Sequence, residues 1–134
     1  MARAVTLGNG NMLVGLDYRG QVRDLYYPQV GFSNHVSGAS GSFVHRIGVF
    51  ADDQISWLDD PEWNVTVGFD AETVVGSMHA VHERLGITLS SVDVVHNEQN
   101  VFVRSFTLSN ERNEKREIPA TTGMKPRPVG PAGA

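Results

Sequence analysis

The chain has no cysteine. That excludes disulfides and any thiolate metal site. It has no apolar run near the roughly 20 residues that a membrane-spanning helix needs. It also lacks clustered positive charge: the 11 Lys and Arg are scattered, against 15 Asp and Glu, for a net charge of -4. Nucleic acid and anionic membrane are therefore poor partners. Met1-Ala2-Arg3-Ala4 is followed by no apolar stretch, so no signal peptide is evident and a cytoplasmic address is the expectation. Aromatic residues make up only 8 % of the chain, with two tryptophans.

What is present is turns and short alternating runs. In a chain of 134 residues, 40 % hydrophobic and 19 % charged, that composition fits one folded domain. Gly8-Asn9-Gly10 and Asp17-Tyr18-Arg19-Gly20 read as tight turns around Met12–Leu16. Val22, Asp24 and Tyr26 then alternate with Arg23, Leu25 and Tyr27 until Pro28 stops the ladder. Phe43, His45, Ile47 and Val49 share one face of the next run. Ala51–Gln54 and Asp59–Glu62 are turns, and Trp63, Val65, Val67 and Phe69 alternate as a half-buried strand. Thr73–Glu83 and Gly86–Val95 read as longer strands, with Ile87, Leu89, Ser91 and Asp93 on one side of the second. Val101–Leu108 closes the series. A helix is a rival reading for Ala71–Leu85, but turns every 8–12 residues favour an all-β sandwich or barrel. Pro119–Ala134 holds four of the six prolines and reads as a disordered tail outside any sheet, native or foreign. The expected division is a β-sandwich over 1–118 and a Pro/Gly-rich tail over 119–134.

Several pieces in order carry a family likeness: LGNG (Leu7–Gly10), LVGLD (Leu13–Asp17), GQVRDLYYP (Gly20–Pro28) and GFSNH (Gly31–His35). HRIGVF (His45–Phe50), SWLDDPEW (Ser56–Trp63), LGITLSSVDVV (Leu85–Val95) and NVFVRSFTLSN (Asn100–Asn110) continue it. Over roughly residues 4–118 the chain resembles the N-terminal β-sandwich of bacterial and archaeal family-15 glycoside hydrolases, the glucoamylase, glucodextranase and trehalase group. The resemblance implies an antiparallel sandwich of the galactose mutarotase-like supersandwich type, here an incomplete part of the larger domain. It implies an accessory domain of an inverting α-glucoside hydrolase, supporting a catalytic α/α barrel. The family's catalytic glutamates lie in that barrel, so no catalytic residue carries over and the chain alone is expected to be inactive. A stand-alone carbohydrate-binding module and a purely structural module are the alternatives. The implied partners are the catalytic barrel, an α-glucan or oligosaccharide, and a second copy through open sheet edges.

Glycoside hydrolysis needs two positioned carboxyls. The close pairs here, Asp52-Asp53 and Asp59-Asp60 with Glu62, fall in turns and read as solvated turn residues. A mutarotase-like His acid and Glu base is a second enzymatic option, resting on fold analogy alone. The five histidines invite a metal site, but His79 and His82 would point to opposite faces of a strand, and His35, His45 and His96 lie in separate segments. No metal and no cofactor are expected. Trp57 and Trp63 are candidate sugar-stacking rings, with core packing as the competing role. The loop after Pro28, with Tyr27, Phe32, Asn34 and His35, is the candidate surface that faces a catalytic domain or a sugar.

Overall fold

The computed structural model describes residues 3–29, 33–36, 45–70 and 73–124. Ten strands and no helix are found among them. In chain order they are β1 (Val5–Gly8), β2 (Leu13–Leu16), β3 (Val22–Tyr26), β4 (His45–Ala51) and β5 (Gln54–Trp57). β6 (Asn64–Phe69), β7 (Gly76–His82), β8 (Ile87–Val95), β9 (Phe102–Asn110) and β10 (Ala120–Met124) follow. All pairing is antiparallel. The sheets run β1-β2-β3, β10-β4-β5 and β6-β7-β8-β9. The protein is an all-β antiparallel sandwich, with the four-stranded meander as one layer and the two smaller sheets as the other.

Turn chemistry explains the hairpins. Asp52 and Asp53 take φ values of 52° and 60° between β4 and β5. Two consecutive positive φ values match the twist of a two-residue hairpin loop. Asp17 makes the β2–β3 turn by accepting the Arg19 and Gln21 amides at 2.8 and 3.0 Å. Gly20, at φ 71°, is needed there for space as well, since an added Cβ would meet the Met78 sulfur at 2.5 Å.

Two apolar clusters lie between the layers. One joins Ile47, Val49 and Ala51 of β4 to Met78 and Ala80 of β7 and Ile87 and Leu89 of β8, with Leu58, Trp63 and Leu85. The other joins Val5, Leu7, Val14, Leu16 and Val22 to Val36, with Val67, Val95 and Phe102 packed against it. The alternation in β8 is as the sequence implies: Ile87, Leu89, Ser91 and Asp93 all face inward. β7 begins at Gly76, three residues later than expected, and it is a strand rather than a helix.

One expectation is corrected. Residues 120–124, which read as tail, form β10 and pair with β4 from Ala120↔Val49 to Met124↔His45. Pro119 lies just before the strand, and Thr121 and Thr122 are β-branched residues suited to a pleated edge. Phe43, expected at the start of β4, lies outside the described residues, as do 125–134.

The far edge of β9 has no strand partner among the described residues. The bond from His96 N–H to the Val101 carbonyl sets the ladder's phase. Phe102, Arg104, Phe106 and Leu108 therefore aim their N–H and C=O groups away from β8.

Candidate functional site

Between the two apolar clusters runs a polar seam. Arg23 Nε sits 2.7 Å from Asp17 Oδ2, and the Gln21 carboxamide oxygen accepts the Ile47 amide at 3.0 Å. On the facing sheet Arg104 Nε donates to Asp93 Oδ1 at 2.7 Å, and Ser91 Oγ donates to Asp93 Oδ2 at 3.1 Å. The Arg104 guanidinium also lies against the rings of Phe102 and Phe106, at 5.8 and 5.2 Å. His45 Nδ1 accepts the Val22 amide at 3.1 Å. Burial pushes its pKa down to about 4, helped by Arg104 and Arg23 and opposed by Asp17. These contacts tie the two layers together, although Gln21 Nε2 and Arg104 Nη1 are buried without a hydrogen-bond partner among the described residues.

The loop candidates divide. Asn34 is bound back onto β3: its Oδ1 accepts the Leu25 and Val36 amides at 3.0 and 3.2 Å, and its Nδ2 donates to the Arg23 carbonyl at 2.8 Å. Nδ2 also reaches Asp24 Oδ1 at 3.2 Å, and Asp24 is paired with Arg3. The amide backbone of His35 donates to the Leu25 carbonyl at 2.9 Å, and its ring Nε2 donates to the Tyr27 carbonyl at 3.0 Å. Asn34 is thus the fastener of the loop, while the rings of Tyr27 and His35 stand in solvent. Phe32 lies outside the described residues.

The tryptophans divide too. Trp63 is 1 % exposed, its Nε1–H donates to Ser56 Oγ at 2.9 Å, and its ring meets His82 edge-on at 5.1 Å. It has no face to offer a sugar, so its expected stacking role is corrected to core packing. An indole is buried readily when its N–H is paired, as here. Trp57 is half-buried on the outer side of β5, lying across Gly48. Arg46 holds its guanidinium 4.2 Å from the ring centroid and is itself tied to Asp59 at 3.0 Å.

Three of the turn carboxylates are engaged with arginines, while Asp60 Oδ1 accepts the Glu62 amide at 2.9 Å. Asp52 binds Arg112 at 2.9 Å, Asp59 binds Arg46, and Glu62 binds Arg84 through bonds of 2.7 and 3.1 Å. No group of three or more potential metal ligands occurs among the described residues.

One feature was not legible in the sequence. A shallow cleft of about 590 Å³ opens where the turn before β6 meets the turn after β7. It is lined by Glu62, Asn64, Val81, His82, Glu83 and Arg84. The Asn64↔Val81 register of β6 and β7 brings the two turns side by side. His82 is 1 % exposed, and its Nδ1 accepts the Leu85 amide at 3.2 Å. The other nitrogen, Nε2, must then carry the proton, and it has no hydrogen-bond partner. Glu62 is its nearest carboxylate at 3.7 Å, too far for a hydrogen bond. The Arg84 guanidinium, hydrogen-bonded to the Glu62 carboxyl, holds it below the usual carboxylate range against the opposing effect of desolvation.

Comparison with known proteins adds one relation. The chain is 26 % identical over 109 residues to an uncharacterized glycosyl hydrolase of Methanocaldococcus jannaschii. Over that stretch the chain is similar to part of a glycosyl hydrolase. The match covers 81 % of this chain but 16 % of that protein, so the chain spans about a sixth of its relative's length. No family model and no solved structure matches the chain.

Proposed function

We propose that this β-sandwich is the accessory N-terminal domain of a glucoamylase-like glycoside hydrolase acting on α-glucosidic bonds. In this reading it docks a catalytic α/α barrel carried elsewhere in the whole protein. The observation that carries it is the similarity itself: a glycosyl hydrolase relative about five times longer, matched across a domain in which Asp52, Asp59 and Glu62 sit in salt-bridged turns rather than in a catalytic pair. The order of the motifs from LGNG to NVFVRSFTLSN supplies the glucoamylase-type detail.

The docking surface in this reading is the loop carrying Tyr27 and His35. Tyr27 is 45 % exposed, although it follows a strand whose other aromatic, Tyr26, is half-buried. Asn34 serves by holding that loop to β3. In a full-length relative, Tyr27→Ala at the matching position lowers hydrolase activity at least threefold and leaves the sandwich's melting temperature unchanged. Asn34→Ala lowers the melting temperature. Activity unaffected by Tyr27→Ala excludes this loop as the docking surface.

The same reading includes self-association through the free edge of β9 when no catalytic domain covers it. A stand-alone carbohydrate-binding module is the second reading, and Trp57, the half-buried member of the tryptophan pair, is the ring that would serve it.

A further inference from the structure

The turn between β1 and β2 carries the one asparagine of the chain that is followed by glycine, Asn9-Gly10. Its side chain works in two directions. Oδ1 accepts the Asn11 and Met12 amides at 3.0 and 2.9 Å, which shapes the turn. Nδ2 donates across to the turn between β8 and β9: to the His96 carbonyl at 2.9 Å, the Gln99 carbonyl at 3.0 Å and Asn100 Oδ1 at 3.3 Å. That second turn holds the two carbonyls in place. His96 Nδ1 accepts the Glu98 and Gln99 amides at 3.1 and 3.0 Å, and the Gln99 carbonyl also accepts the Val101 amide at 2.8 Å. β1 and β2 belong to one layer and β8 and β9 to the other, so Asn9 clasps one end of the sandwich.

Asparagine before glycine is also the pairing most open to loss of the side-chain amide, because glycine puts no Cβ in the way of its own nitrogen. Gly10 is exposed, at φ 96°, with nothing within 4 Å of where a Cβ would stand. In that reaction the Gly10 nitrogen loses its proton and bonds to the Asn9 side-chain carbonyl carbon. The bond from that carbon to Nδ2 breaks, the amide nitrogen leaves as ammonia with the proton, and a five-membered imide remains. Water then opens the imide to aspartate or isoaspartate, with no oxidant or reductant involved. Neither product can clasp. A carboxylate has no hydrogen to donate, and the His96 and Gln99 carbonyls are backbone acceptors that cannot turn into donors, so attraction becomes repulsion. Asn100 alone can rotate its amide to donate. Where aspartate forms, Oδ1 still accepts the Asn11 and Met12 amides, so the β1–β2 turn survives; isoaspartate adds a backbone carbon and shifts that turn as well. We propose that Asn9 is a self-modification site whose deamidation is a one-way release of the clasp between the two turns. The clasp guards its own bond, because the carboxamide must leave His96, Gln99 and Asn100 before Gly10 can reach its carbon.

The test ages the full 134-residue chain in neutral buffer, folded and unfolded in urea, and measures aspartate and isoaspartate at position 9 by peptide mapping. Asn9 is expected to react ahead of every other asparagine, and about tenfold more slowly in the folded chain, since its hydrogen bonds must open first. Asn100→Ala removes one acceptor and leaves the turn's backbone alone, so it raises the folded rate modestly. His96→Ala removes the acceptor that shapes the β8–β9 turn and brings the folded rate to within about threefold of the unfolded one, with the circular dichroism unchanged. Asn9→Asp reproduces one product without ageing. It is expected to lower amide-exchange protection of His96 and Val101 about tenfold while sparing Asn11 and Met12. Equal rates in the folded and unfolded chains overturn the guarding role, as does a rate that neither variant changes. Protection of His96 and Val101 that is unaltered in Asn9→Asp overturns the clasp, and this comparison stands even where His96→Ala fails to fold.

Discussion

His45 sits where β4 meets β3, with Val22 N–H on its Nδ1 and Arg104, Arg23 and Asp17 as the charged groups nearest it. Its folded pKa of about 4 lies below the ordinary value of 6.5, so the fold favours the neutral ring. Stability from this residue is complete above about pH 6.5 and is lost as pH falls through about 4. The expected result is a melting temperature that declines between those values. His45→Asn keeps an acceptor for the Val22 amide and removes the titration, so the decline over that window flattens. Thermal melts at half-unit pH steps check it; parallel curves for the two proteins would assign the decline to other groups. None of this environment is visible in the sequence, where His45 is one of several inward positions on an alternating run. Trp63 shows the opposite case. Its alternation with polar neighbours pointed to the core, and the buried Ser56 partner explains why the indole can stay there.

Elements built from local repeats were legible, and those that depend on distant pairing were not. The period-two pattern of β8 and β9 gave their inward and outward faces because both strands cover the core with one side only. β10 escaped because its five residues stand among prolines and glycines, and its partner lies in another part of the chain. The ladder phase can be read from the bond between Phe50 N–H and the Pro119 carbonyl. It follows that the Arg46 and Gly48 amides bond to β10, whereas Ile47, Val49 and Ala51 turn toward β5. Ending the chain after Pro119 therefore removes hydrogen-exchange protection from Arg46 and Gly48 by at least tenfold and spares Val49. Equal loss at Val49 would mean that the whole sheet opens. The cleft escaped for a related reason: Glu62 and Arg84 belong to separate turns, and only the β6–β7 register makes them neighbours.

For the molecule as a whole, the side of β9 that has no strand partner among the described residues is the chief liability. Its inward residues Phe102, Phe106 and Leu108 are only half-buried, and neither lysine nor proline interrupts the strand. Association is expected to raise the weight-average mass with concentration in sedimentation equilibrium. Ser105→Lys with Thr107→Lys, both on the outer face, should keep the chain monomeric over the same range. A mass that climbs identically in the double variant would place the contact elsewhere.

The pairing of β10 with β4 also carries a timing consequence. The other ladders join strands that are consecutive in sequence, so each can zip as soon as its turn exists. β4 instead waits for a segment made roughly seventy residues later. During synthesis, the meander β6 to β9 is thus complete before the layer opposite it is. For that interval one flank of β4 is an unsealed seam, and the chain's exposure to misassembly is set by how quickly its last strand arrives.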